Sequence, residues 1–280
     1  MILQFTKMHG LGNDYVYLDG MTQDLTGVDE SALARAMSQR RFSVGSDGAI
    51  FLYPTEQADA GMRMYNADGS RGEVCGNGLR CVAKYIYDTG IARKESVTIL
   101  TDAGVRHARL LLADGKIANV SVDMGKAEVN PEKIPVSGGS RKLMLPALDR
   151  VFSLTALSLG NPHAVTFLTN LDFDIEKYGL RLSHDPAFPE GANISFVRPV
   201  RAGVLQARVF ERGSGETQAC GSGACAVAAV AVEEGYVGRG TPLVVLLPGG
   251  ALSVTVEEDG TIILTGPATT VYRGEYLWEE

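Results

Sequence analysis

Hydrophobic and polar positions along the chain follow two rhythms. The stretch Met1-Ile2-Leu3-Gln4-Phe5-Thr6-Lys7 alternates in the manner of a strand. Val97 to Thr101, Arg106 to Leu112 and Ile117 to Val122 read as β segments, the last two joined by a hairpin at Asp114-Gly115. Val244 to Leu247, Leu252 to Val256 and Ile262 to Thr265 give the same pattern later in the chain. Two stretches switch to a helical rhythm. Leu79 to Tyr87 predicts a helix ending near Gly90, and Ala224 to Val232 one ending near Gly235. The second is apolar on nearly every side, which places it at the buried centre of its domain. A mixed sheet wrapped around such a helix is the expected architecture.

A fixed offset relates the two sets. Cys75-Gly76-Asn77-Gly78 recurs as Cys220-Gly221-Ser222-Gly223, 145 positions later. The same offset links Asp29 to Asp174, each opening an acidic-then-apolar segment that reads as a helix start. It also links Gly104 to Gly249, and Asp114-Gly115 to Asp259-Gly260. Toward the front it drifts as small indels would make it, pairing Gly45 with Gly191 and Gly12-Asn13 with Gly160-Asn161. Ordered matches across most of the chain indicate a tandem duplication. The period far exceeds the roughly 20–50 residues of a solenoid unit, and each half is domain-sized. Lys126 to Arg150 contains Asn130-Pro131, Pro135, Ser137-Gly138-Gly139-Ser140 and Pro146. Its turn chemistry and weak periodicity predict the connection between two homologous domains.

Composition then narrows the function by exclusion. The chain has 280 residues, 45% hydrophobic and 21% charged, which is ordinary globular usage. A formal net charge of −7 argues against a general nucleic-acid or anionic-membrane binder. No apolar run approaches the roughly 20 residues of a membrane span, and the opening residues hold no signal-peptide core. A cytoplasmic protein is expected. Cysteines occur at 75, 81, 220 and 225, in gaps unlike the spacing of common zinc sites. With four histidines in the chain, no metal site is expected, and the thiols are expected to be reduced.

The chemistry centres on Cys75 and Cys220, each placed just before a glycine-flanked helix start. Glycines there leave the first backbone N–H groups open to an anion. The partial positive charge of the helix end favours a thiolate on the cysteine and a carboxylate on a ligand. If the two domains face each other, two thiols and two helix mouths converge on one amino acid. Inverting an α-carbon needs a base on one face and an acid on the other, with fixed donors aimed at the carboxylate. A pair in which one sulfur starts as thiolate and the other as thiol meets that need. The competing reading of any cysteine is a buried small hydrophobe. It fits Cys81 and Cys225, which lie roughly 120–140° around the helix from the first cysteine and break the repeat, Cys81 aligning with Ala226 and Cys225 with Arg80.

Polar residues near the cysteine loops could complete a pocket. Asn66 aligns with Glu211, each closing a strand before its loop, and Arg212 follows Glu211. Asn13, Asn161 and Asn193 follow or neighbour glycines, where asparagine also forms turns for local reasons. His163 could tune a thiol by hydrogen bonding or be structural.

The motifs His9-Gly10-Leu11-Gly12-Asn13-Asp14-Tyr15, Asn66 through Cys75-Gly76-Asn77-Gly78, Gly160-Asn161-Pro162-His163 and Glu211-Arg212-Gly213 through Cys220-Gly221-Ser222-Gly223 resemble the diaminopimelate epimerase family, as do Gly266-Pro267-Ala268 and Tyr272. The resemblance covers nearly the whole chain. It implies a mixed α/β (α+β) fold of two homologous domains related by pseudo-two-fold symmetry. Each would be a curved, mostly antiparallel sheet around a central helix, with the active site in the cleft between them. The first domain would be residues 1–122, with about 267–280 returning to it, and the second 123–266. The implied reaction interconverts LL- and meso-diaminopimelate without pyridoxal phosphate, metal or other cofactor, in the lysine and cell-wall precursor pathway. Cys220 would take the proton from the LL substrate and Cys75 would donate to the other face. Gly76-Asn77 and Gly221-Ser222 would hold the reacting carboxylate. Asn13, Asn66, Asn161, Asn193 and the Glu211-Arg212 pair would hold the amino and distal groups, with His163 and Glu211 tuning the thiols. The family is usually a homodimer, with Tyr272 near the contact, and no nucleic-acid or membrane partner is implied. Two departures stand out. Gly48 takes the place of a ligand-contacting glutamine of some members, and Glu73 and Gln218 flank the cysteine loops where apolar residues are frequent.

Two rivals follow from the same residues. A proline or hydroxyproline racemase shares the paired-thiol logic, but its substrate would leave the asparagines and Arg212 without a distal partner. A thiol-based redox sensor would join Cys75 and Cys220 in a regulatory disulfide and turn over no substrate.

Overall fold

The structure, a computed structural model, describes residues 1–72 and 75–279. The alternating first stretch forms β1 (Ile2–Gly10), which turns through Leu11-Gly12 into β2 (Asn13–Asp19). Then come α1 (Glu30–Ser38), β3 (Gly48–Tyr53), β4 (Ala60–Asn66), the short β5 (Arg71–Gly72) and α2 (Gly76–Asp88). β6 (Ser96–Thr101), β7 (Gly104–Ala113) and β8 (Lys116–Lys126) make a meander. The pattern restarts with β9 (Lys142–Ala147), β10 (Arg150–Ser158), β11 (Pro162–Phe167) and α3 (Ile175–Ser183). It continues through β12 (Asn193–Arg201), β13 (Val204–Glu211), β14 (Gly215–Glu216) and α4 (Gly221–Glu233). β15 (Leu243–Leu247), β16 (Gly250–Val256), β17 (Thr261–Gly266) and β18 (Thr269–Leu277) follow. Asp29 and Asp174 are the N-caps of α1 and α3, their carboxylates accepting from the backbone N–H of Ala32 and Lys177.

The chain divides into two compact units, Met1–Val122 with Gly266–Glu280, and Asp123–Thr265. In the first, hydrogen-bonded strands run in the order β18-β1-β2-β3-β4-β6-β7-β8. All neighbours are antiparallel except β2–β3 and β4–β6. In the second the order is β9-β10-β11-β12-β13-β15-β16-β17, with β11–β12 and β13–β15 parallel. The two orders are the same, with β18 standing in the first unit where β9 stands in the second.

One expectation is corrected here. Lys142–Ala147, within the stretch read as connection, is a strand paired along β10. Its outward positions include the exposed Met144 and Pro146, so both faces are apolar and the hydrophobic rhythm is blurred. Pro146 is tolerated because β9 lies at the end of its strand order. Short 3-10 turns at Pro131–Lys133 and Ser137–Gly139 carry the rest of the connecting chemistry.

Packing explains the curvature of each sheet. α2 packs against β1, β6 and β7, strands from opposite ends of their order, so the sheet curls around the helix. α4 likewise packs against β10, β11, β12, β13, β15 and β16. A second layer covers the outer face. Leu33, Ala34 and Met37 of α1 bury against Phe5, Val16, Leu18 and Phe51. Ile175, Tyr178 and Leu182 of α3 bury against Phe152, Ile194, Phe196 and Phe210. Strands between two helices are apolar on both faces, as in β3, where burial is nearly continuous. Among the described residues no helix is long and apolar enough to cross a membrane.

Candidate active site

α2 and α4 begin alike. Cys75 and Cys220 are their N-caps, both in extended backbone conformation. Each sulfur accepts a backbone N–H from the glycine three residues on, Gly78 at 3.4 Å and Gly223 at 3.3 Å. A sulfur so placed sits at the positive end of the helix, which stabilises its thiolate. Cys220 is 4% exposed and Cys75 is half-buried. The second cysteine of each helix, Cys81 or Cys225, is buried in the core. Burial pushes the Cys81 thiol up to about 11, so it stays protonated at neutral pH.

In the first unit, a line of amides meets Cys75. Its Sγ donates to Asn13 Oδ1 across 3.5 Å. That oxygen also accepts from Asn77 Nδ2 at 3.0 Å, and Asn13 Nδ2 donates to Asp47 Oδ2 at 2.8 Å. Asn77 is 2% exposed. Gly76 opens the helix and its carbonyl accepts from Arg80. Asn66 ends β4, and its amide donates to Ser70 Oγ at 3.0 Å.

In the second unit, Ser222 Oγ lies 3.5 Å from Cys220 Sγ, and Gly221 opens α4. His163 Nε2 bonds to Asn161 Oδ1 at 3.0 Å. Because an amide oxygen only accepts, Nε2 carries the proton and Nδ1 is left as an acceptor. Nδ1 is buried with no hydrogen-bond partner among the described residues. Burial and the positive charge of Arg212 push His163 down to about 3, so the ring is neutral through the physiological range. Asn193 ties the start of β11 to the end of β13. Its Nδ2 donates to Pro162 O at 3.1 Å, and its Oδ1 accepts from Arg212 N at 3.0 Å. The exposed Arg212 guanidinium donates to Glu190 O at 2.7 Å, and Glu211 Oε1 accepts from Thr217 Oγ1 at 2.5 Å.

The strand registers place two residues of the sequence reading, Tyr15 and Gly48, against their counterparts in the second unit. His163 pairs with Asn193 across the parallel β11–β12 ladder, and Tyr15 pairs with Gly48 across β2–β3. Tyr15 thus holds the His163 position of the first unit, and Gly48 the Asn193 position. At Gly48 a Cβ would lie 2.0 Å from Tyr65 O, 2.9 Å from Tyr15 Cε1 and 3.1 Å from Asn66 Cα. Any side chain there would force the strands apart, so the glutamine contact is sterically shut out and the Tyr15 ring fills its space. Arg80 and Asp47, at opposite ends of the amide line, were missed by the sequence reading. Gln218 is exposed, its carbonyl accepting from Gly249 N. Glu73 lies outside the described residues. Among the described residues no three His, Cys, Asp or Glu side chains converge as a metal site. Tyr272, on β18, is 43% exposed, its ring edge-on to Phe5 at 5.8 Å.

The profile of the diaminopimelate epimerase family matches residues 5–130 and 155–271. The diaminopimelate epimerase of Desulfovibrio desulfuricans is 44% identical over 285 residues, covering 98% of each chain. That of Methanococcus maripaludis is 43% identical over 278 residues, covering 98% of this chain and 99% of its own. The crystal structure of a probable proline racemase from Agrobacterium radiobacter with bound carbonate matches with a TM-score of 0.75 at 16% identity, over 99% of this chain and 93% of that one. Likeness at so low an identity establishes a common fold. The full-length matches at far higher identity establish more: the chain belongs to the diaminopimelate epimerase family.

Proposed function

We propose that the chain is an isomerase that interconverts LL- and meso-2,6-diaminopimelate, using Cys220 and Cys75 as a thiolate and thiol and no cofactor. The observation that carries this reading is the pair of cysteine-capped, glycine-opened helices in a chain of this family. Cys220, as thiolate, takes the Cα proton of the LL substrate, and the electron pair delocalises into the carboxylate. Backbone donors at Gly76-Asn77 and Gly221-Ser222 stabilise that charge as it develops. Cys75 then delivers its S–H proton to the opposite face, leaving Cys220 protonated and Cys75 as thiolate. The reverse reaction exchanges the roles.

Asn13, Asn66, Asn161, Asn193 and Arg212 hold the amino and distal groups, and His163 and Glu211 tune the thiols. A buried, unfilled Nδ1 on a neutral His163 supports tuning by hydrogen bonding in place of full proton transfer. The two units are read as homologous domains, 1–122 with about 267–280 and 123–266. Exposed Val271, Tyr272 and Leu277 on β18 support a homodimer contact there. The setting is cytoplasmic, in synthesis of lysine and cell-wall precursors.

The test is a coupled assay for meso-diaminopimelate formed from the LL isomer, run beside Cα–H exchange with solvent deuterium. Turnover with exchange is expected. Proline turnover at a comparable rate would instead favour the racemase reading, and failure to turn over any amino acid would favour the redox sensor.

A further inference from the structure

We infer that Arg80 is a positioning residue that sets the proton-bearing state of Cys75 through the side chains of Asn77 and Asn13. Arg80 lies one helical turn beyond the cap, so its side chain folds back onto the first turn of α2. It is fully buried. Its guanidinium donates to Asn77 Oδ1 at 2.7 Å, Gly76 O at 3.3 Å and Pro267 O at 3.2 Å. The bond to Asn77 decides which end of that amide is oxygen, so Nδ2 must face Asn13. Asn77 donates to Asn13 Oδ1, and Asn13 donates onward to the Asp47 carboxylate. Every bond runs donor to acceptor from a cation to an anion, and such chains polarise cooperatively.

The outcome is a fixed acceptor, Asn13 Oδ1, at the Cys75 sulfur. An acceptor there favours S–H and opposes the pull of the helix end toward thiolate. The nearby ionisable groups Tyr17 and Cys81 are both raised by burial and remain neutral at pH 7, so they do not set this balance. Gly10 makes the arrangement possible, because a Cβ on it would lie 2.7 Å from Arg80 Nη2 and 3.1 Å from Asn77 Cβ.

This assignment rests on Cys75 being one of the two reacting thiols, but its test does not need turnover. In reduced full-length protein, iodoacetamide labelling of Cys75 and Cys220 is followed by peptide mass spectrometry across pH. Arg80→Lys keeps the charge and loses the planar fork. Asn77 can then turn its oxygen toward Asn13, and the Asn13 amide, faced by that oxygen, gives up its bond to Asp47 and turns its NH₂ toward the sulfur, which stabilises thiolate. The Cys75 profile should move to lower pH, with labelling at pH 7 about threefold faster or more, while Cys220 in the same sample is unchanged. Gly10→Ala displaces the guanidinium without altering charge and should act in the same direction, which keeps the test open if Arg80→Lys does not fold. An unchanged or slower Cys75 reaction in the folded variants would overturn the assignment. The deuterium-exchange result for the parent would stand apart from either outcome.

Discussion

The two cysteine-capped helices share their first turn and differ in what lies under it. α2 carries Asn77 and the buried Arg80 beneath Cys75, and a line of amides runs from there to Asp47. α4 carries Ser222 and Cys225 at the matching positions and, between its opening glycines and Glu233, is otherwise alanine and valine. The neighbouring strands diverge the same way, Tyr15 and Gly48 standing opposite His163 and Asn193. The duplication therefore kept the cap, where the sulfur meets the helix end, and changed the support behind each copy. In the proposed reaction the two sulfurs begin in different protonation states, and an acceptor beside one of them is a physical source of that difference.

The strongest way to break the comparison is to remove each sulfur in turn. Cys75→Ser and Cys220→Ser should each lower epimerisation by a hundredfold or more, the scale of a lost general acid or base. Far-ultraviolet circular dichroism should be unaltered. Inversion needs both faces, so equal severity is expected despite the unequal surroundings. A single variant racemising at the parent rate would end the two-thiol account. Some variants should still exchange the Cα proton from the face they retain.

Substrate choice tests the second unit's polar wall. Arg212 can grip a carboxylate with two parallel bonds, and charged hydrogen bonds contribute about 1.5–3 kcal/mol each. Arg212→Met should therefore cut kcat/KM for diaminopimelate by roughly ten- to more than a hundredfold, with KM raised and kcat lowered as positioning is lost. Lysine, lacking the distal carboxylate, should be a very poor substrate of the parent. An Arg212→Met enzyme with unaltered KM would move the distal group elsewhere.

How far the sequence disclosed this molecule depended on rhythm and on repetition. β6 to β8 and β15 to β17 have one face in the core, so their alternation was legible. β3 and the first half of β12 are sandwiched between helices, and near-continuous burial there erases the alternation that marks a strand. The strand Lys142–Ala147 was hidden for another reason, apolar Met144 and Pro146 on its exposed face. The helix caps were legible because Asp29, Cys75, Asp174 and Cys220 repeat at one offset. Arg80 was not, because a charged residue inside a helix reads as a solvated face. Only the packing of β1 and Pro267 over it reveals a buried guanidinium.

A third measurement concerns His163, whose counterpart in the first unit is Tyr15. The ring is held down to about 3 in the folded protein and would titrate near 6.5 when unfolded. A depressed histidine is neutral in the native state, so the unfolded state binds the extra proton as pH falls. Its contribution is intact above about pH 6.5 and declines by about 1.4 kcal/mol per pH unit below it. That is about 2 kcal/mol by pH 5, before the lowered carboxylates Asp14 and Asp59 begin to protonate. Urea unfolding at pH 7 and pH 5 should show this loss, and His163→Gln should remove most of it. A parent protein equally stable at both values would show that His163 is not held neutral.

The smallest expected effect separates the two second cysteines. Cys81 and Cys225 are both core residues, and neither should be needed for turnover. Their surroundings differ. Cys81 lies close enough to the buried Tyr17 hydroxyl to help keep it protonated, adding to the larger effect of burial. Removing that sulfur opens a small cavity and takes the polarizable neighbour from a buried hydroxyl. Cys225 lies in a helix whose other buried side chains are nearly all alanine and valine, where another alanine fits the existing packing. Cys81→Ala should therefore cost about 1–2 kcal/mol of stability, and Cys225→Ala about 1 kcal/mol or less. Both should keep the parent kcat. Thermal unfolding read beside the coupled assay checks the order and the activity together. A Cys225→Ala protein as inactive as Cys220→Ser would show that the helix-face argument separating the two cysteines is wrong. A Cys225→Ala protein less stable than Cys81→Ala would show that α4 is the tighter of the two cores.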